Sequence, residues 1–181
     1  GFSAWKLRNV SDKTAGRILF FCGAFLTISE VFKQFFYYFV MMDHEYAWGD
    51  FPFQLCSIPM YLCILIGLFR DSTFTRISKT FIATFGLMGG VASYIAPGTM
   101  CREWLELTLH SFIWHLILIF LGFYAFFSNI EELGKRDFAG AVLMYFSLCF
   151  IAFAINLICI NAPGVDVNMF YIGPKPSVLP I

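Results

Sequence analysis

The chain has 181 residues with 12 basic and 12 acidic side chains, and it is 59% hydrophobic, 20% aromatic and only 13% charged. A soluble domain keeps roughly a quarter of its residues charged. A mean hydropathy of +0.74 and 24 phenylalanines exclude a water-soluble fold, and zero net charge leaves no basic face for nucleic acid.

The first 15 residues are polar and lack the short apolar region of a secretory signal. The chain begins without Met and stops abruptly at Ile181, so it is expected to be part of a longer protein. A hydrocarbon core of about 30 Å needs roughly 20 mostly apolar helical residues. Five stretches meet or approach that length: 17–42, 51–69, 77–96, 105–127 and 138–160. None alternates with period 2, as a membrane barrel strand would. The expected fold is therefore all-α, a polytopic transmembrane helical bundle forming a single domain over 1–181. A proline-containing tail, 161–181, follows the fifth span.

Lys6, Arg8, Lys13, Arg17, Arg70, Arg76, Lys79, Lys135 and Arg136 fall on one side of these spans, against Arg102 and Lys175 on the other. That asymmetry predicts a cytoplasmic N-terminus and an outward-facing 161–181 tail. With a rise of about 1.5 Å per residue, Glu30 lies about 20 Å beyond Arg17, past the midplane. Lys33 and Gln34 follow it. Gln54 and Cys56 open the second span, His110 and His115 lie in the outer half of the fourth, and Asn156 ends the fifth. Polar groups in a bilayer generally face the bundle interior or a water-filled cavity. Their shared depth predicts a polar pocket in the outer half of the bilayer.

Cys56 stands at a predicted helix N-terminus, whose partial positive charge favours a thiolate. A thiolate can accept an acyl group when a histidine supplies acid and base catalysis. The alternative for Cys56 is simple packing. His115 suits the base, or is an interhelical hydrogen-bonding group. His110 is five residues away, about 140° around the helix, so the two cannot share one narrow face. Glu30 and Lys33 are spaced to pair, either as a neutralised structural couple or as an acid, base or head-group contact. Gln54 and Asn156 can orient a catalytic group, bind a polar ligand or cap backbone. Gly86 and Gly90 have GxxxG spacing for close helix packing, and Trp48 and Trp104 fit an interfacial aromatic belt. His110, His115 and Glu30 match no standard metal motif, so neither metal nor cofactor is expected. The six cysteines lack zinc-site spacing; a Cys101–Cys159 disulfide stays open.

In order, these landmarks resemble a known series. Phe51-Pro52-Phe53-Gln54-Leu55-Cys56-Ser57 is similar to the LPLHLCS stretch of the YwaF-like integral membrane proteins. Phe112-Ile113-Trp114-His115 resembles that family's later helical histidine, and Glu30 its early glutamate. Asn156, Asn168-Met169-Phe170-Tyr171 and Lys175-Pro176 resemble its N…NYMFL…KP ending, and Ala96-Pro97 falls where the family also has proline. The resemblance, over residues 26–176, implies a seven-span protein of which this chain supplies the middle five. A mammalian relative is described as a phospholipid acyltransferase using cysteine and histidine. A more distant lipid-hydrolase family pairs threonine with histidine in a similar bundle. Carried over, Cys56 is the nucleophile and His115 the base. From the reading of the residues themselves, Glu30, Lys33, Gln54, His110, Asn156 and Asn168 are expected to bind substrate or support them. Gln54 replaces a family histidine, and an amide cannot act as a base.

The expected function is a membrane-embedded lipid acyltransferase or acyl hydrolase. The alternative is a transporter or a protein that binds a membrane lipid or small lipophilic molecule in the same pocket. An assembly subunit has no positive feature in the sequence.

Overall fold

The computed structural model describes residues 1–69, 72–128, 134–161, 165 and 167–173. Arg70, Pro163, Lys175 and Pro176 lie outside the described residues, as does the rest of the tail from 174 onward. Among the described residues there are seven α-helices and no strand. They are α1 Phe2–Lys6, α2 Asp12–Phe36, α3 Ile58–Leu68, α4 Thr73–Phe81, α5 Leu87–Ile95, α6 Leu105–Ser128 and α7 Lys135–Cys159.

Local chemistry sets the helix starts. Ser11 caps α2 by accepting from the Thr14 N–H at 3.4 Å, and Ser72 caps α4 by accepting from the Thr75 N–H at 3.1 Å. The Ser72 bond satisfies an N–H of the first turn, and the Thr14 N–H also bonds the Ser11 carbonyl at 2.8 Å. α2 runs on through a π-helical turn, Tyr37–Met41. A second π turn, Ile82–Gly86, joins α4 to α5, so residues 73–95 are continuously helical.

Three helices are long and apolar enough to cross a membrane: Lys13–Met41, Leu105–Ser128 and Lys135–Cys159. Of the other two expected spans, 77–96 lies almost wholly within the continuous helix 73–95, whereas 51–69 is corrected. The 51–69 span contains only the 11 residues of α3, about 16 Å of helix. Pro52 cannot donate a helical hydrogen bond, and the chain reaches α3 through a turn in which the Ser57 N–H bonds the Gln54 carbonyl. Thr73, Thr75 and Arg76 make the turn that precedes the 77–96 stretch polar.

Glycines set the closest helix contacts. On Gly23 of α2, a methyl would lie 2.8 Å from Cys63 Cβ; on Gly67 of α3 it would lie 2.6 Å from the Phe20 ring. The start of α2 thus meets the end of α3, an antiparallel pair. Gly122 of α6 similarly touches Leu87 of α5, and Gly140 of α7 touches Ile77 of α4. The core between these surfaces holds Leu19, Leu26, Ile66, Phe81, Leu118 and Tyr124, all fully buried. The outside is apolar too: Phe150 is 74% and Ile158 79% exposed. Core-sized side chains facing outward along long apolar helices belong in lipid, not water. All six cysteines are unbridged, Cys101 and Cys159 included.

Candidate functional site

α2, α5 and α7 finish at one end of the bundle, where α3 and α6 begin. That end encloses a cavity of about 420 Å³. Glu30, Lys33, Gln54, Cys56, His110 and His115 line it. Residues from separate helices therefore do converge, although Asn156 and Asn168 stand behind the wall.

The charged wall comes from α2 and the chain before α3. Glu30 is only 5% exposed, and its carboxylate meets Lys33 Nζ at 2.9 Å. Gln34 Nε2 donates to the same carboxylate at 2.7 Å and to the Asp50 carbonyl at 2.8 Å. Lys33 Nζ also reaches that carbonyl, at 3.2 Å. The Asp50 carboxylate faces Arg102 at 3.5 Å. Glu30 and Lys33 compensate each other's burial, as a buried charge must be compensated. Arg102 and Asp50 also line the cavity.

Cys56 lies two residues ahead of Ile58, the first residue of α3, so it precedes the helix instead of opening it. Its carbonyl accepts a 3.2 Å bond from the Trp114 indole of α6. That bond ties the Cys56 backbone to the residue beside His115. His115 Nδ1 lies 2.7 Å from the Ser111 carbonyl. A carbonyl only accepts, so Nδ1 carries the hydrogen and the neutral ring keeps an unprotonated Nε2. Among the described residues no group bonds Nε2, and no hydrogen bond joins the Cys56 thiol to the His115 ring.

Both histidines line the cavity with Leu107, Ser111 and Trp114 of α6, a single stripe about 140° wide with the two histidines at its edges. The His110 ring lies against Trp114, centroids 5.5 Å apart, and its Nε2 is buried with no hydrogen-bond partner among the described residues. Among the same residues, no three His, Cys, Asp or Glu side chains are grouped to hold a metal ion.

Gln54, Asn156 and Asn168 work on backbone. Gln54 Oε1 accepts from the Phe170 N–H at 2.7 Å while its Nε2 donates to the Asn168 carbonyl at 3.1 Å. Asn156, 2% exposed, accepts from the Met169 N–H at 2.7 Å and donates to the Met169 carbonyl at 3.0 Å. Asn168 Oδ1 accepts from the Gly173 N–H at 2.8 Å. These amides serve as strand-like partners for residues 168–173 and are not free to orient His115, which the Ser111 carbonyl holds instead.

Sequence reasoning gave no site role to Arg102, Asp50, Tyr37, Trp114, Phe170 or Tyr171. Arg102 carried a signal as a cation isolated on the sparsely charged side. Tyr37 begins the π turn that extends α2, a feature frequent at functional sites.

Long apolar helices around an end-on cavity with buried charge define an integral membrane helical protein with a polar interior site. The entire chain, residues 1–181, matches the TMEM164 family. The protein belongs to that family. No curated protein and no solved structure matches the chain significantly.

Proposed function

We propose that this protein is a membrane-embedded lipid acyltransferase or acyl hydrolase with its cavity in the outer half of the bilayer. The N-terminus is then cytoplasmic and the tail outside, as the basic side chains at the starts of α2, α4 and α7 favour. One observation carries the reading: Cys56 and His115 line the same cavity, and His115 Nε2 keeps a free lone pair. The likeness of residues 26–176 to the YwaF-like proteins supports it.

In this mechanism His115 Nε2 takes the Cys56 proton as sulfur attacks an ester carbonyl of the lipid. The tetrahedral intermediate collapses with loss of the ester C–O bond, leaving an acyl thioester. The His115 imidazolium returns its proton to the departing alkoxide. An acceptor hydroxyl, or water, then gives its proton to His115 and attacks the thioester. Sulfur leaves as the thiolate and recovers the proton from the ring. Thiol and ring are not hydrogen-bonded to each other among the described residues, and catalytic contacts commonly tighten in the substrate complex. A neutral His115, with Nδ1 held by Ser111, is the protonation state the first step requires.

The test is acyl transfer between phospholipid and lysophospholipid by the full chain in membranes. Cys56→Ala is expected to lower turnover about 10³-fold or more, and His115→Ala about 10²–10⁴-fold, with helical content unchanged. Full activity in Cys56→Ala removes the nucleophile assignment.

The absence of a hydrogen bond between thiol and ring among the described residues favours a second reading, in which Glu30, Lys33, Arg102 and His115 bind a lipid or small lipophilic molecule without reacting. Saturable binding that leaves the ligand intact after prolonged incubation supports that reading.

A further inference from the structure

Residues 168–173 have no regular structure beyond one 3-10 turn, Met169–Tyr171. Within that turn Phe170 and Tyr171 have φ of 57° and 55°. Positive φ is uncommon for residues with a side chain, and for bulky ones it is a strained outlier that persists only where the surroundings impose it. Two such residues in succession require an external constraint.

The constraint is visible. Gln54 brackets the turn from the chain before α3, and Asn156 brackets it from α7. Each amide makes one donated and one accepted bond to main chain. Asn168 closes the turn from within by binding the Gly173 N–H. A methyl on Gly173 would stand 2.7 Å from Asn168 Oδ1, so the turn closes tightly.

The clamp's result is the placement of two rings. Phe170 and Tyr171 both line the cavity that holds Cys56. Phe170 packs against Phe53, centroids 5.8 Å apart, and Tyr145 of α7, at 6.5 Å. Tyr145, also on the cavity wall, stacks on Phe85 at 4.6 Å. An aromatic chain thus runs from the second π turn across α7 to the strap. Burial is the main cause that pushes the Tyr171 phenol up.

We infer that Gln54 and Asn156 are positioning residues that hold 168–173 as a strained aromatic wall, and that this wall controls access to Cys56. Neither amide has a chemical role in the reaction. Their work is to fix Phe170 and Tyr171 where relaxed backbone would not leave them. This inference extends the reading of the cavity as the functional site, but its test does not need acyl transfer to occur.

The experiment is the rate at which a small membrane-permeant maleimide labels each cysteine of the full chain in membranes, followed by peptide mass spectrometry. Gln54→Leu and Asn156→Leu keep the side-chain bulk and remove both bonds of each bracket. They are expected to raise Cys56 labelling about tenfold or more, since each lost bond loosens the strap. Cys22, on α2, should keep its rate. Phe170→Gly tests the wall by itself: glycine accepts the positive φ without strain, so the clamp survives while the ring is lost. It too should raise Cys56 labelling with Cys22 unchanged. An unchanged Cys56 rate in Phe170→Gly, or a rise shared equally by Cys22, overturns the inference. Because no turnover is measured, this result separates from a failure of the Cys56 nucleophile.

Discussion

At the scale of single residues, burial and pairing decide which polar groups can serve chemistry. Glu30 and Lys33 are spaced as a helical pair in the sequence, and they form one at 2.9 Å. Their shared contacts with Gln34 and the Asp50 carbonyl make the couple a fixed wall of the cavity. Glu30→Leu leaves the Lys33 charge without its counter-ion, so it is expected to destabilise the fold by about 3–5 kcal/mol. Adding Lys33→Met should recover much of that loss, because it removes the unpaired charge. Thermal unfolding of the single and double variants in the same detergent checks both statements. Glu30 and Lys33 were legible because their partners lie one helical turn apart. Gln54 and Asn156 were legible as buried amides but not as backbone clamps. Gln54 reaches Phe170, 116 positions away, a pairing that no local pattern encodes.

At the scale of elements, hydropathy locates the long helices closely. The expected 105–127 and 138–160 stretches became Leu105–Ser128 and Lys135–Cys159. It fails where an apolar run is not helical: residues 51–57 are apolar enough to join α3, but Pro52 and the turn after it break the backbone pattern. The Gly86–Gly90 spacing also looked like one packing face. Gly86 instead meets Pro59 before the middle of α3, while Gly90 meets Ile119 and the His115 carbonyl of α6. Gly90 therefore sets how closely α5 approaches the backbone that carries His115. A methyl there stands 3.0 Å from Ile119 Cγ1 and 3.3 Å from the His115 carbonyl. On Gly122 it would stand 2.5 Å from Leu87 Cβ and 3.0 Å from its Cα. Gly122→Val should cost about 1–3 kcal/mol by overpacking α5 against α6. Gly89→Ala, whose methyl meets nothing within 4 Å, should be neutral or stabilise by up to about 1 kcal/mol through helix propensity. Chemical denaturation in a common micelle distinguishes them; equal stability of the two variants contradicts the packing described.

At the scale of the whole molecule, charge and polarity are segregated along the bundle. The first halves of α2 and α7 and the whole of α4 carry Lys13, Arg17, Arg76, Lys79, Lys135 and Arg136. At that end Arg76 reaches the buried Asp137 at 3.3 Å and ties α4 to α7. The cavity occupies the opposite end, where Cys101 is exposed. Under the proposed orientation, a membrane-impermeant maleimide applied to intact cells should label Cys101 from outside. Labelling only after permeabilisation reverses the orientation. The segregation was readable from the sequence because it depends on composition along each helix. The cavity's contents were only partly readable, since depth along ideal helices cannot report which side chains turn inward.

Acyl transfer itself is tested most directly by trapping its intermediate. The full chain in membranes is incubated briefly with a phospholipid bearing a heavy-isotope acyl chain, quenched in acid and digested. The peptide containing Cys56 should then carry the labelled acyl mass as a hydroxylamine-sensitive thioester, absent from Cys56→Ala. A Cys56 peptide that stays unmodified while acyl transfer proceeds contradicts covalent catalysis at this thiol.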